Sequence, residues 1–351
     1  MLTEGCTTVW YDSILFVYGQ ERAESTTEQP VQPLLNITNG DSTVDIMKQA
    51  GVPGILLPWR DILHDGPVPD GLSLEDLSKV RAKFIADRGW GAPEAIEQGF
   101  IARDNVLRSC EQYENVILWF EHDLYDQLQL LQILDWYDNH RPIKPKLAII
   151  CVDQYLGTLS PEQMAMLYRY EQTVTEDHLA LASKAWSAFR ASTPEQWFAL
   201  LQMDTRALPY LAGAIFRQLQ EYPDCRHGLS RTALQALNII AHGEQRPGRV
   251  FALYQETEER RFLGDAGFWV ILHELLESSP PLLKLAEHKT LTLPFSPDQA
   301  LTITPAGEAV LAGKSNWLNS FKLDRWMGGV HLTSSNLWCW DPLTTSITKV
   351  T

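Results

Sequence analysis

From Leu34 to Val152 the chain alternates between two rhythms of apolar and polar positions. Short continuous apolar runs at Leu34–Thr38, Ile55–Pro58, Val116–Phe120 and Leu147–Val152 read as strands. Between them, apolar residues recur at three- and four-residue spacing. This predicts helices over Thr43–Ala50, Ser73 to about Asp87, Pro93 to about Tyr113 and Tyr125 to about Asn139. Ser73 is placed to cap its helix, with Glu75 and Asp76 in the first turn to suit the helix dipole. Strands and helices alternating at these lengths predict right-handed βαβ crossovers. The fold class is therefore α/β, with a small parallel, Rossmann-like sheet.

The rhythm then changes twice. Ser160-Pro161 opens an all-helical region, with helices predicted at Pro161–Val174, Glu176–Ala191, Pro194–Met203 and Arg206–Glu221. Beyond it, Ser230 caps a helix to about His242, followed by helices over Pro247–Glu259 and Asp265–Ser278. The runs Leu282–Leu285 and Leu301–Thr304 then suggest a strand hairpin, and Pro305 starts a short helix to Leu311. Three helices and a hairpin is the order of a winged-helix-like domain. The expected organisation is an irregular extension over 1–33, an α/β domain over 34–155, a helical region over 160–224, a winged-helix-like domain over 225–314 and a tryptophan-rich segment over 315–351. Trp317, Trp326, Trp338 and Trp340 of that segment read as packing residues rather than a base-stacking platform.

Composition narrows the class. Hydrophobic residues make up 45% and charged residues 21% of the 351, as in globular proteins. No apolar run approaches the roughly 18–20 residues of a membrane span, so no membrane partner is expected. Glu4 and Asp12 stand where a secretory leader needs positive charge. The five cysteines are scattered without CxxC spacing, which fits reduced thiols and a cytoplasmic protein. Net charge is −15, unevenly spread. Residues 1–153 hold 12 basic against 24 acidic side chains, and residues 225–314 hold 9 against 10. Contact with a phosphate backbone is disfavoured for the first part, and nucleic acid is conceivable only for the second. There, Arg226, Arg231, Arg246, Arg249, Arg260 and Arg261 are interleaved with Glu256, Glu258 and Glu259, a pattern more typical of a solvated face than a DNA-reading one.

Candidate chemistry collects where parallel strands end. The first strand leads to Asn39, Gly40, Asp41 and Ser42, and the second to Arg60 and Asp61, with His64 and Asp65 beyond. The third leads to Glu121, His122, Asp123, Tyr125 and Asp126, and the fourth to Asp153. So many carboxylates on one edge require raised pKa values or a cation. Candidate ligands for a divalent metal ion are Asp41, Glu121, Asp123 and Asp153, whose oxygens suit a hard ion. His64, Glu121, His122 and Asp123 are the candidate catalytic groups, with a histidine as general base oriented by Asp61 or Asp65. Asn39, Gly40, Asp41, Ser42, Arg60, Asp61, Asp65, Tyr125 and Asp126 are the candidate substrate-binding residues.

Blander readings stand beside these. Ser42 with Asp45 spells a capping-box variant, although the same helix start could bind a phosphate or carboxylate. Arg60 and Asp61 either pair locally, or Arg60 holds an anionic group bidentately. His64-Asp65-Gly66-Pro67 is either a tight turn or part of the site. Neither a Walker loop nor GxGxxG is present.

Three of these stretches carry a resemblance. Asn39-Gly40-Asp41-Ser42, Trp59-Arg60-Asp61 with His64-Asp65-Gly66-Pro67-Val68-Pro69, and Trp119-Phe120-Glu121-His122-Asp123 resemble the bacterial family known as domain of unknown function 1835, over about residues 34–155. Leu301–Thr304 and Trp326-Met327-Gly328-Gly329-Val330-His331-Leu332 are similar to a companion region carried by longer members. The resemblance implies the domain boundary and the choice of residues but no activity.

Two functions remain open. One is an enzyme that hydrolyses or transfers a group on a small phosphorylated or nucleotide-like substrate. The other is a regulator that senses a small ligand and binds DNA or protein through the winged-helix-like domain.

Overall fold

The central parallel strand is β4 (Asn115–Phe120), and every residue after Asn115 is buried. Its uninterrupted apolar run suits a strand covered on both faces. The computed structural model describes residues 34–286 and 290–350, so the extension expected over 1–33 lies outside the described residues. Around β4 lie β1 (Leu34–Thr38), β2 (Ile55–Pro58), β5 (Lys146–Cys151) and a short β6 (Gln172–Thr173), in the order β2-β1-β4-β5-β6. All pairings are parallel except β5 with β6. The protein is thus mixed α/β with a mostly parallel sheet.

Helices α1 (Asp41–Gln49), α2 (Leu74–Asp87), α3 (Pro93–Arg108) and α4 (Leu124–His140) connect these strands. From β1 the chain steps outward to β2, then returns past β1 to β4. The direction of winding therefore reverses between β1 and β4. The crevice outside the carboxyl ends of those two strands is where open α/β sheets bind ligands.

Helix α4 is buried on nearly all sides, including Gln127, Gln129 and Gln132. Each of these glutamines has a specific partner. Gln129 donates to the Asp61 carbonyl at 2.9 Å, and Gln132 accepts from the Trp59 indole at 2.8 Å. Gln127 donates to the Glu121 carbonyl at 2.7 Å. The helix thereby fixes the start of the loop after β2 as well as the turn after β4.

Several predicted boundaries shift. Helix α1 begins at Asp41 with extended Gly40 as its N-cap and no side-chain cap, so Ser42 does not head a capping box. Helix α5 stops at Met166 (Pro161–Met166) and a 3₁₀ turn follows. Gln172 and Thr173 then pair with the open edge of β5, because its free backbone groups offer the ladder bonds that a continued helix would forgo. Helix α6 (Glu176–Arg190) packs on α4, and α7 (Glu195–Ala199) is short. The helix predicted from Arg206 starts instead at Leu211 (α8, Leu211–Leu219), since Pro209 disfavours helical backbone just before it. The polar loop after β2 contains an unpredicted strand, β3 (Gly66–Pro67). It pairs in parallel with β9 (Arg325–Gly328).

Contacts divide the described chain into two units. One holds residues 34–214 and 326–330, the other 215–325 and 331–350. The helices of 160–214 therefore belong with the sheet. The second unit contains α9 (Arg231–Ala241), α10 (Pro247–Thr257), α11 (Asp265–Glu277) and α12 (Pro305–Leu311). Its strands form small antiparallel sheets, β7 (Leu283–Ala286) with β8 (Ala300–Ile303) and β10 (Leu337–Asp341) with β11 (Ser346–Val350). Trp317, Trp338 and Trp340 are buried there as packing residues. Among the described residues, no helix is long and apolar enough to cross a membrane.

Candidate functional site

The residues that follow β1 and β4 meet across the crevice between those strands. Asn39 continues β1, and its side-chain amide donates to Glu121 Oε1 at 3.0 Å and to Asp126 Oδ2 at 2.9 Å. Glu121 continues β4, and its backbone N–H donates to Asp126 Oδ1 at 2.7 Å. Asp123 caps α4 by accepting from the Asp126 N–H at 3.2 Å. From the turn after β5, the Leu156 N–H donates to Glu121 Oε1 at 2.8 Å. Three strand ends thus close on one carboxylate cluster.

Glu121, Asp123 and Asp126 are all buried, and each offers an oxygen within 4.8 Å of the others. Removal from water is the main cause that pushes Glu121 and Asp126 well above the usual carboxylate range, and repulsion from neighbouring carboxylates adds to it. Burial likewise lifts Asp123 to about 7, against hydrogen bonds that favour its charged form. The same desolvation raises the Tyr125 phenol and the Cys151 thiol, the latter to about 12. The Cys151 thiol lies beside the Glu121 carbonyl, at 3.6 Å. Three carboxyls this close and this dry cannot all carry charge alone. They retain protons, or they share a cation. Oxygens up to 4.8 Å apart fit the latter, since two ligands on opposite sides of a cation are separated by about twice a metal–oxygen distance of roughly 2.0–2.6 Å.

Beside the cluster, Asp41 and Arg60 form a bidentate pair at 2.8 and 2.5 Å, while Asp61 pairs with Arg81 and Arg103. Arg60 adopts a left-handed backbone with φ of 56°, and its N–H donates to the Asn39 carbonyl at 3.0 Å. That strained conformation turns the chain back towards β1. Tyr125 reaches the same carbonyl at 3.5 Å and meets the His64 ring edge-on at 6.0 Å. His122 is buried between the rings of Tyr155 and Tyr210, at 5.0 and 6.0 Å.

Other expected site residues are turned elsewhere. Asp61 is fully buried against Arg81 at 2.9 Å and Arg103 at 3.9 Å, and Asp65 reaches Arg88 at 3.5 Å. Asp61 is therefore part of the scaffold beneath the loop. Asp153 is exposed and lies outside the buried cluster. Gly40 is the uncapped N-terminus of α1, and exposed Ser42 lies in its first turn, where Gly157 approaches it.

Arg81 is a further residue of this loop, and the sequence carries a signal for it. It occupies the buried stripe Leu77–Arg81–Ile85, where a charged residue has no apolar rationale. Its guanidinium donates to Asp61 and to the carbonyls of Ile62, Asp65 and Pro67. Leu156 left no such signal, because it acts through its backbone amide.

No protein-family model matches the chain, and no curated protein sequence matches it.

Proposed function

We propose that the crevice between β1 and β4 is an enzyme active site. It acts on a small phosphorylated or nucleotide-like substrate by hydrolysis or group transfer, with a divalent cation on Glu121, Asp123 and Asp126. One observation carries this reading: three buried carboxylates converge at the winding reversal of the sheet. In their charged form, a purely structural role would leave them a large desolvation penalty, with no cation among the described residues acting on Glu121 or Asp126 to offset it. The uncapped N-terminus of α1 on the same crevice suits an anionic group of the substrate. The resemblance to domain of unknown function 1835 agrees with this choice of stretches and adds no reaction. The test is thermal melting of the full chain with Mn2+ plus ADP, pyrophosphate or a sugar phosphate. At least one is expected to raise the melting temperature only when the cation is present, and a Glu121→Gln, Asp126→Asn double variant is expected to lose the rise. Indifference to every cation–phosphate pair would overturn the reading.

The regulator reading has its own support in the order α9, α10, α11 and the β7–β8 pair, which is that of a winged helix. Helix α11, third in that order, carries Asp265, Glu274 and Glu277 but neither Lys nor Arg. A protein partner fits this helix better than DNA. Duplex binding that falls steeply with salt would reverse that preference.

A further inference from the structure

The stretches His64–Pro69 and Trp326–Leu332 lie far apart in sequence, yet parts of them are paired strands of one small sheet. Gly66 lies opposite Met327 and Pro67 opposite Gly328, and the Val68 N–H donates to the Gly328 carbonyl at 2.7 Å. Just past β9 the incoming segment touches the end of α6, where the Gly329 N–H donates to the Phe189 carbonyl at 3.0 Å. Both glycines are needed for this fit. Gly328 has φ of 61°, and a Cβ there would strike the Phe189 carbonyl and ring. A Cβ on Gly329 would strike the Arg190 carbonyl. Arg190 in turn donates to the carbonyls of Pro69, at 3.1 and 2.9 Å, and of Leu72, at 3.0 Å.

We propose that Trp326–Val330 is a strap that positions the carboxyl-edge loop, with Gly328-Gly329 as the residues that let it seat. The loop it clamps is the one that brings Arg60 to Asp41 and His64 to Tyr125. Arg81 holds this loop from beneath, through four of its groups. The strap and Arg190 hold its far side. The stretches after β1, β4 and β5 follow strands of the main sheet directly. The loop after β2 depends instead on residues about 260 positions later in the chain. The site is thus completed by a strand inserted from a remote part of the sequence.

This inference rests on the carboxyl edge being the functional site, but its test needs no ligand. A strap that positions nothing and a crevice that binds nothing therefore give different results. The experiment compares wild type with Gly329→Ala by residue-resolved amide exchange and by histidine ring resonances, with His64→Gln used for assignment. The variant is expected to speed exchange of the Val68 amide tenfold or more and to shift the His64 ring resonances. The β4 amides and the His122 ring should stay as in wild type. Faster Val68 exchange with an unmoved His64 would mean a strap that only packs, and unchanged Val68 exchange would remove the strap altogether. If Gly329→Ala does not fold, native-state exchange of the wild type in mild denaturant decides. The Val68 and Gly329 amides must then open together, before those of β4, and separate opening overturns the proposal.

Discussion

Replacing Arg81 with Met should lower the folding stability of the sheet unit by about 3–5 kcal/mol, a large share of what a typical domain possesses. Arg81 is completely buried and donates to Asp61 at 2.9 Å, to the Ile62 and Asp65 carbonyls at 2.8 Å and to the Pro67 carbonyl at 3.3 Å. Met fills the volume but leaves Asp61 as a buried carboxylate whose remaining cation, Arg103, is 3.9 Å away and also pairs with Asp104 at 2.8 Å. The loop carbonyls lose their donor as well. Arg81→Lys should recover only part of the loss, because a point ammonium cannot reproduce a fork that reaches four acceptors. Urea unfolding of the three proteins checks this. A Met variant within about 1 kcal/mol of wild type would mean that the loop does not depend on the buried pair.

The second large effect has the opposite sign. Asp123→Asn should stabilise the protein at pH 8 when no cation is present. The Asp123 pKa rises from 3.8 to about 7 on folding, so the folded state holds a proton that the unfolded state releases. A group of this kind contributes its full stability below about pH 4 and loses it as pH rises to about 7. Above pH 7 its contribution is a penalty of about 2–4 kcal/mol, given roughly 1.4 kcal/mol per pKa unit and sharing among coupled carboxyls. Asn removes the charge and keeps the cap, because it accepts from the Asp126 N–H as Asp does. The gap between variant and wild type should therefore be widest at pH 8 and narrow steadily towards pH 4. Chemical unfolding across that range measures it. A function-bearing group is a common place for stability to be forgone in this way.

How far the sequence foretold all this varies by element. Strand β4 was legible because a central parallel strand is apolar on both faces and leaves an unbroken run. The convergence of Asn39 with Glu121 was legible only as two strand ends on one edge. The bond between them depends on strand order, and periodicity does not encode order. Asp61 looked like a site residue because it sits in a motif of polar groups. Its real partners, Arg81 and Arg103, lie on two later helices, and helical spacing does not say which loop a buried arginine reaches. The strap was present as Gly328-Gly329, but a glycine pair does not say which backbone it must pass. Pro209 carries its meaning locally, because it disfavours the helix start at Arg206 that apolar spacing alone predicts.

The most direct measurement is the melting temperature of wild type and Asp123→Asn at pH 8, with and without millimolar Mn2+. If Glu121, Asp123 and Asp126 hold a cation, the variant melts higher than wild type without Mn2+. With Mn2+ the wild type should rise by several degrees while the variant barely moves, because binding to the folded state alone raises stability by mass action. A wild type unmoved by Mn2+, Mg2+ and Ca2+ alike, or an equal rise in both proteins, would contradict the assignment of these three carboxylates as a cation site.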